Sequence, residues 1–404
     1  MKLFRKILII CLLGKLMACS SLASGEINDV WGHKQVATVE MAGSDSVWVC
    51  HLSMLKDTVT VPLSHFVEEL EMVKLDNRDA ALVSPSKTII GKQYILVHKM
   101  GHVPFKLFTK RGVYLRDIGS FGQGAGEYGL AYDVQMDEEN NRLYVLCWQA
   151  DHILVFDLQG NILQPIRLAH WSPKGVFHVE TERGQVSVCA LSFNRDFVGD
   201  RHSPMIWTQS LDGKIIKELP AGYFAVNDYG NEIESLNNGT MMDIGFWFGG
   251  RYRNDSLYHY DNREFRLIPR FTLDYGGHEL TPHSFGELPN HFWGEISYPV
   301  KLSPYSSTTT PPKYYMVEKH TLRGAFVEIY NDFLGGIPAD WFFSSHDGYY
   351  VWNVEPVRLK QMVEDRLSSS EIISDSDRRK LTELFGSIKE NDNNYIFYGR
   401  LKCR

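Results

Sequence analysis

The chain contains no HExxH, no GxSxG and no CxxC pair. That excludes a zincin site, a nucleophile elbow and a thiolate-held structural zinc as motif-level readings. Long apolar runs are also lacking: the stretch from Ile7 to Leu13 is too short to span a bilayer. Positive charge is scarce, with 42 Lys and Arg against 49 Asp and Glu, a net charge of −7. Four of the cations, Lys2, Arg5, Lys6 and Lys15, sit in the first eighteen residues, which hold no acid; removing four cations from −7 leaves −11. A domain this acidic is repelled by phosphate backbones, so nucleic acid is not an expected partner.

What the chain does have is aromatic residues at 13 %, together with 33 Gly and 16 Pro. Flat rings pack well on pleated surfaces, and Gly tolerates turn dihedrals, so this mixture suits many short strands joined by tight turns. Hydrophobic residues at 44 % and charged residues at 23 % are ordinary for a globular protein and do not suggest disorder or a coiled coil. A length of 404 residues suits one large β-architecture or two ordinary domains.

The N-terminus reads as an export signal. Lys2, Arg5 and Lys6 form a basic region and Ile7 to Leu13 an apolar one. The next residues, Leu16-Met17-Ala18-Cys19-Ser20-Ser21, resemble a lipobox, with Cys19 as the residue that would be diacylated and become the new N-terminus. The membrane, reached through that lipid, is then an expected partner. An ordinary signal peptide cut after Ala23 is the other reading. The expected organisation is a signal at 1–18, a tether at 19–34, a propeller at 35–355 and a helical segment at 356–404. Cys50, Cys147, Cys189 and Cys403 are widely separated, and the first three sit among apolar, strand-like neighbours; free buried thiols are expected, with a disulfide as the alternative in an oxidising space.

A unit recurs along the chain. Its clearest copy is Arg142 to Trp148, a short loop, Ile153 to Leu158, the turn Gln159-Gly160-Asn161, and Ile162 to Leu168. That reads as strand, loop, strand, tight turn, strand. Further copies begin at Tyr94, Val186 and Met242. Their last strands lie about 50 residues apart, the spacing of propeller blades, and six such units would use about 300 residues. The expected fold is all-β, a six-bladed β-propeller with a C-terminal helical appendage; a β-sandwich with additions is the alternative. Residues 276–313 read as a Pro- and Ser-rich interruption, and Val36 to Leu52 as the strand that closes the ring. Pro356 to Leu367 and Ser376 to Lys389 show helical spacing and expected end signals, and should pack on the outside or base.

The stretch Ile118-Gly-Ser-Phe-Gly-Gln-Gly-Ala-Gly-Glu-Tyr128 resembles the GxGPGEY signature of the exported six-bladed β-propeller proteins abundant in Bacteroidetes, with Ala125 standing where that family has Pro. Asn254-Asp-Ser-Leu-Tyr258 and the tail Asn391 to Lys402 are similar to later parts of the same family. The resemblance implies the propeller fold and an exported protein. It implies no activity, because the family has none agreed. A phosphate-binding reading of Gly122 to Gly126 fails, because a strand and not a helix follows it.

Alternating strands order the loops. Those joining second to third strands share one face with the links between blades, which gathers His102, Trp148, Asp151, His152, Arg195, Arg201, His202, Trp247, Arg251 and Arg253. Arg forks suit carboxylates and aromatic planes suit the apolar faces of sugars. The expected role is therefore a non-catalytic scaffold on the cell envelope, binding a glycan or a protein partner without a cofactor. The bland reading of the same residues is solvated loop positions. The competing reading is a hydrolase with a divalent metal in the central channel, or a glycan-active enzyme. Asp133, Asp137, Asp228, Glu232 and Asp243 are candidate carboxylates for that metal, although no spacing marks them as a ligand set.

Overall fold

The computed structural model describes residues 30–403, apart from 33, 100, 102, 123, 125–126, 236–241, 249–254, 304–305 and 340–343. Cys19, His102, Arg251 and Arg253 lie outside the described residues.

The strands form six blades in a ring. Blade one runs Lys87–Ile90, Tyr94–His98, Phe105–Thr109 and Tyr114–Ile118 from inside to outside. Blade two runs Ala131–Asp137, Arg142–Cys147, Ala150–Phe156 and Ile166–Ser172. Blade three follows with Gly175–Glu180, Gln185–Ala190, Ile206–Ser210 and Ile215–Leu219. Blade four has Glu232–Ser235, Asp243–Trp247, Leu257–Asp261 and Arg266–Asp274. Blade five has His283–Glu287, His291–Ile296, Lys313–Glu318 and Gly324–Asn331. Blade six takes Ser344–His346, Tyr349–Val354 and Tyr395–Arg400 from the end of the chain, and Glu71–Lys74 from its beginning.

The core is divided among the gaps between blades. Ile89, Leu96 and Phe105 of blade one meet Val134, Leu143 and Val145 of blade two in one cluster, and equivalent clusters fill the other gaps. Middle strands are covered on both sides. They therefore read as nearly continuous apolar runs, such as Leu143 to Leu146, which gave the repeat its legibility.

Ring closure differs from the expectation. Val36 to Leu52 does not close the ring. Its strand Asp45–His51 adds parallel to the outer strand of blade four, and Ala37–Ala42 lies outside that. Thr58–Pro62 then adds parallel to the outer strand of blade five. Only Glu71–Lys74 closes the ring, pairing antiparallel with Tyr395–Arg400. The N-terminal segment is thus a belt along the outer rim of blades four, five and six. Arg266 grips the belt at Asp45, donating from both terminal guanidinium nitrogens to the two carboxylate oxygens.

The Pro- and Ser-rich region is no interruption: it contains the two inner strands of blade five, followed by a projecting hairpin, Pro299–Ser303 and Ser306–Thr309. The two helices form at Pro356–Ser368 and Asp375–Ser387. Pro356 opens the first, and the Ser374 hydroxyl accepts the Asp377 amide (3.1 Å) to cap the second. Both pack into the core shared by blades five and six. They are an insertion between the second and third strands of blade six, so the expected division at residue 355 falls inside that blade. Among the described residues the cysteines are unpaired, with Cys50 and Cys189 buried and Cys403 exposed.

Candidate functional site

Antiparallel strands send successive connections to opposite faces. Loops between second and third strands share one face with the links between blades; this is the connection face. Hairpins between first and second strands share the other, the hairpin face.

On the connection face, Trp148 and Gln149 form the short turn of blade two. Gln149 takes a positive φ of 56°. The Trp148 amide donates to Leu130 O (2.8 Å) and the Gln149 amide to Pro173 O (2.9 Å). The turn is therefore fixed to the links on both sides of its blade. In blade three, the long loop 191–205 is zipped to the link 220–231. The Val226 amide donates to Ser192 O (3.0 Å), the Asn194 amide to Val226 O (2.9 Å) and the Asn194 side chain to Asn227 Oδ1 (2.7 Å). His202 donates from Nδ1 to Phe193 O (2.8 Å). Loops held this way keep their side chains in place before any ligand arrives.

Lys174, nearly fully buried in the link between blades two and three, fastens the next link over. Its ammonium donates to Tyr229 O (2.7 Å), Asn231 O (2.8 Å) and Glu232 Oε1 (2.5 Å). The other oxygen of Glu232 accepts from the Tyr132 phenol, whose pKa is pushed up by burial and by that carboxylate. Asp228 accepts the Gly230 amide (2.8 Å) and shapes the turn that raises Tyr229.

These fixed segments assemble an aromatic strip. The Tyr229 ring lies 6.2 Å from Trp148, 5.7 Å from Phe197 and 4.7 Å from buried Phe193. Trp148, Tyr229 and Phe197 are 41 %, 38 % and 44 % exposed. Beside them the Arg201 guanidinium lies 5.6 Å from the Trp171 ring, and Trp171 packs against Phe193 (6.4 Å). A rigid, partly exposed group of rings with a cation at its edge offers flat apolar surface and one site for an anion.

The other expected residues fall differently. Asp151 and His152 pair with each other (2.6 Å) at the start of the third strand of blade two, and that bond lowers the Asp151 pKa. Trp247 ends the second strand of blade four, 37 % exposed, with no ring partner among the described residues. Sequence reasoning missed Tyr229, Phe197, Trp171 and Lys174. The spacing of Phe193 and Phe197 in a long loop, and the turn-forming Asp228 and Gly230 around Tyr229, were the available signals.

The candidate channel carboxylates are engaged in the fold. Asp133 accepts the Phe177 amide (2.9 Å), Asp137 accepts the Thr181 hydroxyl (3.0 Å), and Asp243 pairs with His259 (3.0 Å). Glu232 and Asp228 are held as above. Among the described residues, no group of three His, Cys, Asp or Glu is placed to hold a metal ion. On the hairpin face a cavity of about 580 Å³ opens where the inner strands of blades one, two, three and six end. Several of its acids are also in use: Glu138 accepts the amides of Gln93 (2.9 Å) and Tyr94 (3.1 Å), Glu180 pairs with Arg183 (3.1 Å), and Glu139 pairs with Lys92.

A family model described as Domain of unknown function (DUF4934) matches residues 48–400. The chain belongs to this family. The match begins in the belt and ends in the last strand of blade six, so it spans the whole ring. No curated protein matches. Among solved structures, the chain is similar to a Bacteroides fragilis NCTC 9343 protein described as exported, at 17 % identity and a TM-score of 0.55, covering 85 % of this chain and 99 % of that one. A member of the DUF4221 family from Bacteroides vulgatus is matched at 10 % identity with a TM-score of 0.46, covering 83 % and 97 %. The first of these likenesses supports the fold, a six-bladed propeller of a family without an assigned activity. Among the described residues, no helix is long and apolar enough to cross a membrane.

Proposed function

We propose that this member of the family is an exported, lipid-anchored, non-catalytic binding protein that holds a glycan-like ligand on the connection face of blades two to four. The observation that carries the reading is the strip of Trp148, Tyr229 and Phe197, exposed on segments whose backbones are tied to one another. Exposed rings clustered on a rigid base are what stacking on sugar faces requires, and fixing them beforehand lowers the entropy cost of binding. Arg201 supplies a fork for a carboxylate at the edge of the strip. His202 and Trp247 extend the same face, and Asp151 and His152 flank Trp148. The basic and apolar start of the chain, the lipobox-like Leu16 to Cys19 and the exported description of the Bacteroides fragilis relative support the address.

The test is a titration of the mature chain with envelope glycan fragments, read by tryptophan fluorescence. Trp148→Ala and Tyr229→Ala should each weaken binding by at least about tenfold, the size of an interface hot spot. Glycan binding that neither substitution changes would refute the reading.

A further inference from the structure

Away from the aromatic strip, the belt creates a second opening. The belt leaves the edge of blade four at His51 and reaches the edge of blade five at Thr58. Blades diverge outward from the axis, so the crossing segment spans a wedge that neither blade fills. There the structure has a cavity of about 590 Å³, walled by the belt turn, the link between blades four and five, the root of the projecting hairpin and the outer strands of blade five. That volume suits a small ligand.

Its walls are largely apolar, with Leu52 and Leu55 from the belt, Tyr298 from the hairpin root and Phe326 from blade five. Its charge runs against that of the chain. Lys56 and Lys313 both line it, exposed, and neither is paired with an acid among the described residues. The Lys313 ammonium lies instead 5.7 Å from the Phe326 ring. Glu279 is the one acid among the lining residues. At the wall, Thr281 is 4 % exposed and its hydroxyl has no hydrogen-bond partner. Buried hydroxyls are normally satisfied, so an unmet one beside a cavity marks a position where a ligand oxygen would be welcome.

We propose that this wedge binds a small amphipathic carboxylate, with an aliphatic or aromatic body against Leu52, Leu55, Tyr298 and Phe326 and the carboxylate between Lys56 and Lys313. The apolar walls select the body. Two unpaired cations in an otherwise acidic protein select the head. The site is independent of the aromatic strip and survives or fails separately from it.

The probe is decanoate, titrated into the full mature chain by calorimetry, with decanol as the uncharged analogue. One saturable site is expected, with decanol at least about tenfold weaker. The double variant Lys56→Gln, Lys313→Gln should lose at least about tenfold for decanoate and little for decanol. Both lysines are exposed, so the variant should unfold at the wild-type temperature, which thermal unfolding checks. Phe326→Ala should weaken both probes. Absence of saturable decanoate binding, or a double variant that binds decanoate as tightly as wild type, overturns the proposal.

Discussion

The side chain of Gln135 pairs with Val179 as a neighbouring strand would: its carbonyl accepts the Val179 amide (2.8 Å) and its amide donates to Val179 O (3.1 Å). Val179 lies on the inner strand of blade three, whose channel-facing edge has no strand beside it. Asp133 meets the Phe177 amide on the same edge, and Asp137 meets the Thr181 hydroxyl just beyond it. Every second side chain of one inner strand thus supplies what the next strand lacks, and this joins blades two and three without a shared sheet.

Replacing Gln135 by Ala removes the partner of both Val179 groups in a half-buried setting at the wall of the hairpin-face cavity, where water can reach them. A loss of about 1 kcal/mol is expected. Denaturant unfolding should show a lower midpoint with an unchanged slope.

Lys174→Met removes the ammonium that ties together Tyr229, Asn231 and Glu232. Glu232 is partly open to solvent, so the expected cost is about 2 kcal/mol, below that of a fully buried pair. Because Tyr229 loses its support, ligand affinity on the connection face should fall even though Lys174 itself is covered. Wild-type affinity in this variant would show that the strip does not depend on that tie.

The buried pair of His283 and Asp255 (2.6 Å) makes stability depend on pH. Burial opposes a charge on His283, but the hydrogen bond and charge of Asp255 prevail and raise its pKa above 6.5. A group whose pKa is higher folded than unfolded stabilises fully below its unfolded pKa, and that contribution fades as pH rises through the folded value. The Asp255 carboxyl is itself pushed up by burial, so both groups make stability fall as pH rises. Wild type should therefore lose more stability than the double variant His283→Gln, Asp255→Asn between about pH 5.5 and about pH 8.5, as thermal unfolding at the two values would show. Parallel profiles would contradict this.

Asn393 clasps the ring shut. Its side chain donates to Asp76 O and Ala81 O (both 2.8 Å) and accepts the Val83 amide (3.0 Å), while its own amide donates to Asn77 Oδ1 (2.7 Å). Asn393→Ala should cost about 3 kcal/mol, since several buried groups lose partners together. Limited proteolysis should then cut the segment near residues 76–83 before the blades.

Cys19→Ser should release the mature protein from membranes. If the variant still fractionates with membranes after processing, Cys19 is not the anchor and cleavage after Ala23 is the better reading.

Blades one to four were legible because their middle strands are apolar and evenly spaced. Blade five was not. A side chain at Gly286 would collide with the Trp293 ring, and one at Gly294 with Tyr315, so both strands carry glycine where alternation would show. The projecting hairpin also stretches the repeat spacing there. The closing strand Glu71–Lys74 buries only Val73, leaving no period to read. Of the candidate site, Trp148 and Arg201 were legible as loop residues on a shared face. Their neighbours were not, because Tyr229 and Lys174 come from links whose proximity follows from ring curvature and not from local pattern.

The belt also imposes an order of assembly. Residues 71–74 pair with 395–398, and residues 45–62 dock on strands that end at 274 and 331. The first part of the propeller to be synthesised is therefore the last that can be placed. Until blades four to six exist, Thr58–Pro62 and Glu71–Lys74 have no edges to join, and the hairpin of Ala37–Ala42 and Asp45–His51 has no sheet to dock on. Contacts this distant in sequence make the closing step slow, and an exposed strand waiting that long is open to capture by another chain.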